Sequence, residues 1–160
     1  ANIQIDNIRT YGPEKIGDII IYSSELKGIN IPEKYIANAI DEFPILFIAA
    51  ANASGKTILK NAMELRFKES DRLASMSKGL LKCNINNTLL DDGIEIEGGK
   101  ISGATIDSYD DHRIAMSFAI AGIASSSTIT ILNTENVSTS FPGFDNLMRK
   151  MGLKIKRENI

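Results

Sequence analysis

The sequence predicts an α/β (α+β) fold made of repeated βαβαββ units, and three observations predict it. Short Ile-rich runs alternate with segments of helical period. A turn signal, Asp91-Asp92-Gly93, separates two runs of strand character. The order acid, apolar helix, short strand, Asn occurs from Asp41 to Asn61 and again from Asp111 to Asn133, about 70 residues later. Strands alternating with helices favour crossover connections and a partly parallel sheet, while hairpins add antiparallel pairs. The 160 residues, 43% of them hydrophobic, suit one domain spanning 1–160. Within it the repeat runs from about 28 to 99 and from 100 to 158, and residues 1–22 read as the end of a further unit.

Taken in order, Ile16 to Tyr22 and Gly28 to Ile31 read as strands joined by the polar turn Ser23-Ser24-Glu25. Pro44 falls in a first helical turn with Asp41 as its expected N-cap, and the apolar run Phe43 to Ala51 is expected to be a core helix ending at Asn52 to Gly55. Lys56 to Asn61 is a short strand, and Leu73, Met76, Leu80 and Leu81 give Ser70 to Leu81 an amphipathic helical period. Asn84 to Leu90 and Gly93 to Glu97 flank a turn in which Gly93 suits positive φ. The second unit follows: a strand from Lys100 to Ile106, a helix from about His112 to Ala124, a strand from Thr128 to Leu132, a helix from near Pro142 and a final strand from Lys154 to Arg157.

Charge and composition exclude several functions. Eighteen basic against 20 acidic residues leave no global field for nucleic acid or an anionic membrane, so any anion site is local. Cys83 is the one cysteine and His112 the one histidine, which leaves no disulfide and no Cys- or His-based metal site within the chain. A reducing compartment, the cytoplasm, is the expected location. No apolar run reaches the roughly 20 residues of a membrane span. The start at Ala1 is unlike a signal peptide, and the missing Met hints at a longer parent.

The densest charge cluster, Arg66-Phe67-Lys68-Glu69-Ser70-Asp71-Arg72, lies where a loop enters a helix. Exposed helix-start amides plus three cations make a local anion site there. Asp41 precedes Glu69 by 28 residues at a similar junction. Two carboxylates facing one ligand, with cations and burial to separate their pKa values, suit proton transfer. Asp110-Asp111-His112-Arg113 opens the matching helix of the second unit, where Arg113 offers a planar fork for carboxylate or phosphate. Gly55-Lys56-Thr57 is not a phosphate loop: position 50 is Ala and the preceding segment is helical. Gly98-Gly99 has no helix after it and reads as a turn.

These segments resemble the EPSP synthase (3-phosphoshikimate 1-carboxyvinyltransferase) family. Glu64 to Leu73, Asp110 to Met116 and Thr139-Ser140-Phe141-Pro142 are similar to three family segments in the right order, and Ile40 to Leu46 to a fourth. The resemblance runs from about Lys34 to the end. It implies one domain of the two-domain enolpyruvyl transferase fold, with the active site in the cleft and the missing amino-terminal part of the same polypeptide as partner. It further implies transfer of the enolpyruvyl group of phosphoenolpyruvate to the 5-hydroxyl of shikimate 3-phosphate, in aromatic amino acid biosynthesis by the shikimate pathway, with no cofactor. By the same resemblance Asp41 is a shikimate-ring ligand and proton acceptor, Lys68 binds shikimate 3-phosphate, Glu69 handles the methylene proton, and Arg72 and Arg113 hold phosphoenolpyruvate. Thr139 stands where many members have a further lysine. The fragment alone is expected to be inactive. Two other readings are a fragment of the related UDP-N-acetylglucosamine enolpyruvyl transferase and a noncatalytic α/β binding module.

Overall fold

A computed structural model describes residues 1–158 of the chain. It opens with an antiparallel hairpin of β1 (Asn2–Tyr11) and β2 (Glu14–Tyr22), turning at Gly12-Pro13 and bulging between Asp6 and Arg9. The strand expected at Ile16 to Tyr22 is present, but its partner is β1, which hydrophobic patterning did not announce. The reason is that the alternation a half-buried strand carries is missing: apart from Asp6 the hairpin is exposed on both faces.

Gly28 to Ile31 is not a strand. Residues 26–31 run along the free edge of β3 (Lys56–Leu59) and pair with it only at two parallel bridges, Lys27 with Ser54 and Asn30 with Ile58. Two short helical pieces, α1 (Ile36–Ala39) and the 3-10 turn Ile40–Glu42, lead into α2 (Phe43–Ala51). The run that was apolar on every side is the helix that is buried on most of its surface: Phe43, Pro44, Phe47, Ile48, Ala50 and Ala51 are all interior.

After β3 a 3-10 turn, Met63–Phe67, feeds α3 (Arg72–Lys82), which buries Leu73, Met76 and Leu80 on one face. The hairpin β4 (Asn87–Leu89) and β5 (Ile94–Glu97) completes an antiparallel sheet of order β3-β5-β4. Gly93 does not take the positive φ expected of it. It is needed because an added Cβ would lie 2.0 Å from the carbonyl oxygen of Leu59 on β3.

The second half has β6 (Thr105–Asp107), α4 (His112–Ala121) and β7 (Thr130–Leu132); β6 and β7 pair in parallel with α4 as the crossover. It ends in α5 (Glu135–Ser140) and α6 (Phe144–Lys150), while Lys154 to Arg157 is irregular and not the expected final strand. The core lies where α2, α3 and α4 meet, backed by β3, β5 and β6, with Phe43, Phe47, Leu65, Leu73, Met76, Ile96, Ile114 and Phe118 fully or nearly fully buried. This packing brings the starts of all three helices to one side.

Candidate functional site

Each site residue is delivered by a helix entrance. Asp41 sits in the 3-10 turn before α2; the N-cap position itself belongs to Glu42, whose side chain makes no capping bond, so Asp41 is not the cap expected of it. Lys68, Glu69 and Ser70 form the loop into α3, and Arg72 is that helix's first residue behind the N-cap Asp71, which accepts from Ala74 N. Asp111 caps α4 by accepting from Arg113 N at 2.9 Å.

These groups converge on the guanidinium of Arg72. The side chain is 1% exposed and meets three carboxylates: Nε donates to Asp111 Oδ2 at 2.8 Å, Nη1 to Asp41 Oδ1 at 2.9 Å and Nη2 to Glu69 Oε2 at 2.5 Å. Asp111 is completely buried, whereas Asp41 and Glu69 are about half exposed. One edge of the fork is thus held from inside, and the two outer nitrogens meet groups at the surface. Asp111 also accepts from Ser70 Oγ at 3.0 Å, which leaves it fully hydrogen-bonded.

Lys68 Nζ lies 2.6 Å from Glu64 Oε1 and 3.4 Å from Asp41 Oδ1. Arg113 crosses from α4 to the turn before α2, where its Nη1 donates to Asp41 O at 2.8 Å and to Glu42 Oε1 at 2.9 Å. Asp41, Lys68, Glu69, Arg72 and Arg113 therefore share one face, as their positions in the sequence implied. Neither arginine expected to hold an anion stands without a carboxylate: Arg72 is enclosed by acids and Arg113 is paired with Glu42. Arg66 leaves the cluster altogether: its Nε and Nη2 donate to Asp91 O and Leu90 O and its Nη1 pairs with Asp71, so it fastens the β4–β5 turn.

Electrostatics follow from these contacts. Burial pushes the Asp41 carboxyl up, but Lys68, Arg72 and Arg113 outweigh it and hold the group below the ordinary carboxylate range. Burial acts in the same sense on Asp111, and Arg72, the Arg113 amide and Ser70 again prevail. Lys68 is raised, chiefly by Glu64 and then by Asp41 against burial. For Arg72 burial works against the charge, yet Asp111, Glu69 and Asp41 raise it, so it remains a cation. Two half-exposed carboxylates beside fixed cations can exchange protons with a ligand and make room for its anionic groups.

Sequence reading missed Asp111, Ser70 and Glu42 as members of the site. For Asp111 a signal existed, since a helix-starting Asp before a helical run is a capping pattern. Ser70 and Glu42 are recognisable only from what they touch. Thr139 is exposed on α5, which packs along α4. His112 is half-buried at the start of α4, between Asp111 and Arg113. Among the described residues no cluster of His, Cys, Asp or Glu is arranged to hold a metal ion, and no helix is long and apolar enough to cross a membrane.

The chain is similar to known proteins over most of its length. A 3-phosphoshikimate 1-carboxyvinyltransferase of Legionella pneumophila (strain Lens) is 55% identical over 144 residues, covering 90% of this chain and 33% of the relative. The protein of the same name from Ruthia magnifica subsp. Calyptogena magnifica is 49% identical over 161 residues, covering 99% of this chain and 37% of the relative. A solved EPSP synthase structure from Acinetobacter baumannii superimposes with a TM-score of 0.94 at 49% identity, over 99% of this chain and 38% of that one. The chain spans about a third of the length of these relatives. The family pattern for EPSP synthase matches residues 7–158, beginning well before Lys34, where the resemblance was expected to start. By this family match and these similarities in sequence and fold, the chain belongs to the EPSP synthase (3-phosphoshikimate 1-carboxyvinyltransferase) family.

Proposed function

We propose that this chain supplies one side of the active site of a 3-phosphoshikimate 1-carboxyvinyltransferase, as a single domain with the repeat at about 28–99 and 100–158. The amino-terminal part of the same polypeptide supplies the other side, in the cytoplasm. The substrates are phosphoenolpyruvate and shikimate 3-phosphate; the products are the enolpyruvyl ether and inorganic phosphate. What carries the reading is the meeting of Asp41 and Glu69 on the guanidinium of Arg72, with Lys68 and Arg113 at its flanks.

The chemistry asks for that set. A proton goes onto the methylene carbon of phosphoenolpyruvate as the 5-hydroxyl attacks the neighbouring carbon and loses its own proton. The tetrahedral adduct then expels phosphate and returns a methyl proton. Glu69 serves the carbon-bound proton and Asp41 the hydroxyl proton. Arg72 and Arg113 take the donor's carboxylate and phosphate, and Lys68 lies on the acceptor side. No metal or organic cofactor enters these steps. The family match favours neither the UDP-N-acetylglucosamine enzyme nor a noncatalytic module.

The test joins this chain to the amino-terminal remainder of the Legionella pneumophila relative and measures phosphate release from the two substrates. Turnover is expected from the joined protein and none from the 160-residue chain. A folded joined protein without turnover, or turnover by the chain alone, would overturn the reading.

A further inference from the structure

Both proposed donor-binding arginines already carry carboxylates of the chain itself, so an anionic donor binds in place of them or beside them. On Arg72 the exposed occupants are Asp41 and Glu69, which the reaction uses. On Arg113 the occupant is Glu42, which has no step in the chemistry. We infer that Glu42 is an affinity-setting residue, a built-in competitor on Arg113 that weakens the binding of phosphoenolpyruvate and of inorganic phosphate. The inference rests on the assignment of Arg113 as a donor ligand.

Three observations separate competition from support. Glu42 is mostly exposed, 60% of its side chain, and holds Arg113 Nη1 at 2.9 Å, so it can leave without exposing anything new. It occupies the N-cap position of α2 but its side chain makes no capping bond, so neutralising it removes no hydrogen bond from the helix. The same Nη1 also donates to the Asp41 carbonyl oxygen at 2.8 Å, and Arg113 N is held by Asp111; both bonds remain when Glu42 is neutralised. Arg113 therefore keeps its place and loses only a rival negative charge. An incoming anion meets one negative charge fewer beside the guanidinium and no rival carboxylate on the side of Nη1.

The size of the effect follows from the exposure of the pair. The upper part of the range for partly exposed ion pairs, about 0.4–1 kcal/mol, corresponds to a gain in affinity of about two- to five-fold. Only the anionic groups that meet Arg113 should respond, so donor and product phosphate shift together while shikimate 3-phosphate does not.

The experiment compares Glu42→Gln with the parent in the joined protein, with thermal melts to verify folding. The KM for phosphoenolpyruvate and the inhibition constant for inorganic phosphate are both expected to fall by about two- to five-fold, with the KM for shikimate 3-phosphate unchanged. The same substitution made on an Arg113→Ala background should have no effect on either constant. An unchanged or raised KM for phosphoenolpyruvate in Glu42→Gln would overturn the inference, as would a gain that persists without Arg113. Should the joined parent show no turnover, the functional reading fails separately. Glu42 is then decided by titrating the 160-residue chain with inorganic phosphate while following the Arg113 side chain by NMR. Tighter phosphate binding by Glu42→Gln supports the competitor role and equal or weaker binding rejects it.

Discussion

A carboxylate with no exposed surface stays ionised only where donors and a cation replace its water, and Asp111 has all of them in Arg72, Ser70 and the Arg113 amide. Taking away one partner of such a pair strands the other. Asp111→Ala is expected to cost about 3 kcal/mol, the low end for a buried pair because Arg72 keeps Asp41 and Glu69. Urea unfolding measures it. Asp111→Asn should cost about 1 kcal/mol less, since Asn still caps α4. The pH response has a definite sign. Asp41 and Asp111 are both held below their ordinary range when folded, so their stabilisation is fully present above the unfolded value of about 3.9 and is lost as pH falls through the lower folded values. Melting temperature should drop with acid below about pH 4, and the drop should be shallower in Asp111→Asn. Asp41, Lys68, Glu69, Arg72 and Arg113 could be singled out as candidates from the sequence because chemistry restricts residue type. Their pairing could not, because a guanidinium buried by partners 31 and 39 residues away leaves no local pattern.

At the scale of elements, the helices that were easiest to read are those that build the core. The bounds of α2 agree with the apolar run from Phe43 to Ala51, and α3 buries Leu73, Met76 and Leu80 of the predicted period, while Leu81 is exposed. Their close approach to α4 depends on a residue with no side chain: a Cβ at Gly79 would lie 2.2 Å from the ring of Phe118, which is fully buried and has no room to retreat. Two effects oppose each other in Gly79→Ala. Better helix propensity stabilises by about 1 kcal/mol, whereas overpacking of a filled core costs roughly 1–3 kcal/mol. Strain against an immobile ring should prevail, with a net loss of about 1–2 kcal/mol in chemical denaturation. Phe118→Leu on the same background should recover part of it. Strands read less well. Lys154 to Arg157 has strand composition but pairs with no strand among the described residues, and Gly28 to Ile31 meets β3 at a single bridge, Asn30 with Ile58. Strand formation is a property of partners, and composition cannot supply them.

For the molecule as a whole, the isolated chain should unfold cooperatively because one continuous core joins α2, α3, α4 and their strands. The hairpin of β1 and β2 lies apart from that cooperativity. Ile3, Ile5, Ile8, Ile19 and Ile21 are more than half exposed, and two strands without a packed face are marginally stable in water. Amide hydrogen exchange should therefore be fast across residues 2–22 and slow in α2, α3 and β5; equal protection would show that the hairpin is held by the core. The sequence by itself determined the class of fold, the helices with a clear apolar period and the residue types of the candidate site. Each of these is written in neighbouring residues, where period, capping and chemistry act over a few positions. Only the tertiary structure decided that the three helix entrances close on the guanidinium of Arg72. It alone decided that Asp111 holds Arg72 from within, that Arg66 fastens a turn instead of binding an anion, and that Glu42 lies on Arg113. Those outcomes join residues 25 to 71 positions apart, and at such separations it is the packing of the core, rather than any local preference, that sets which charges come together.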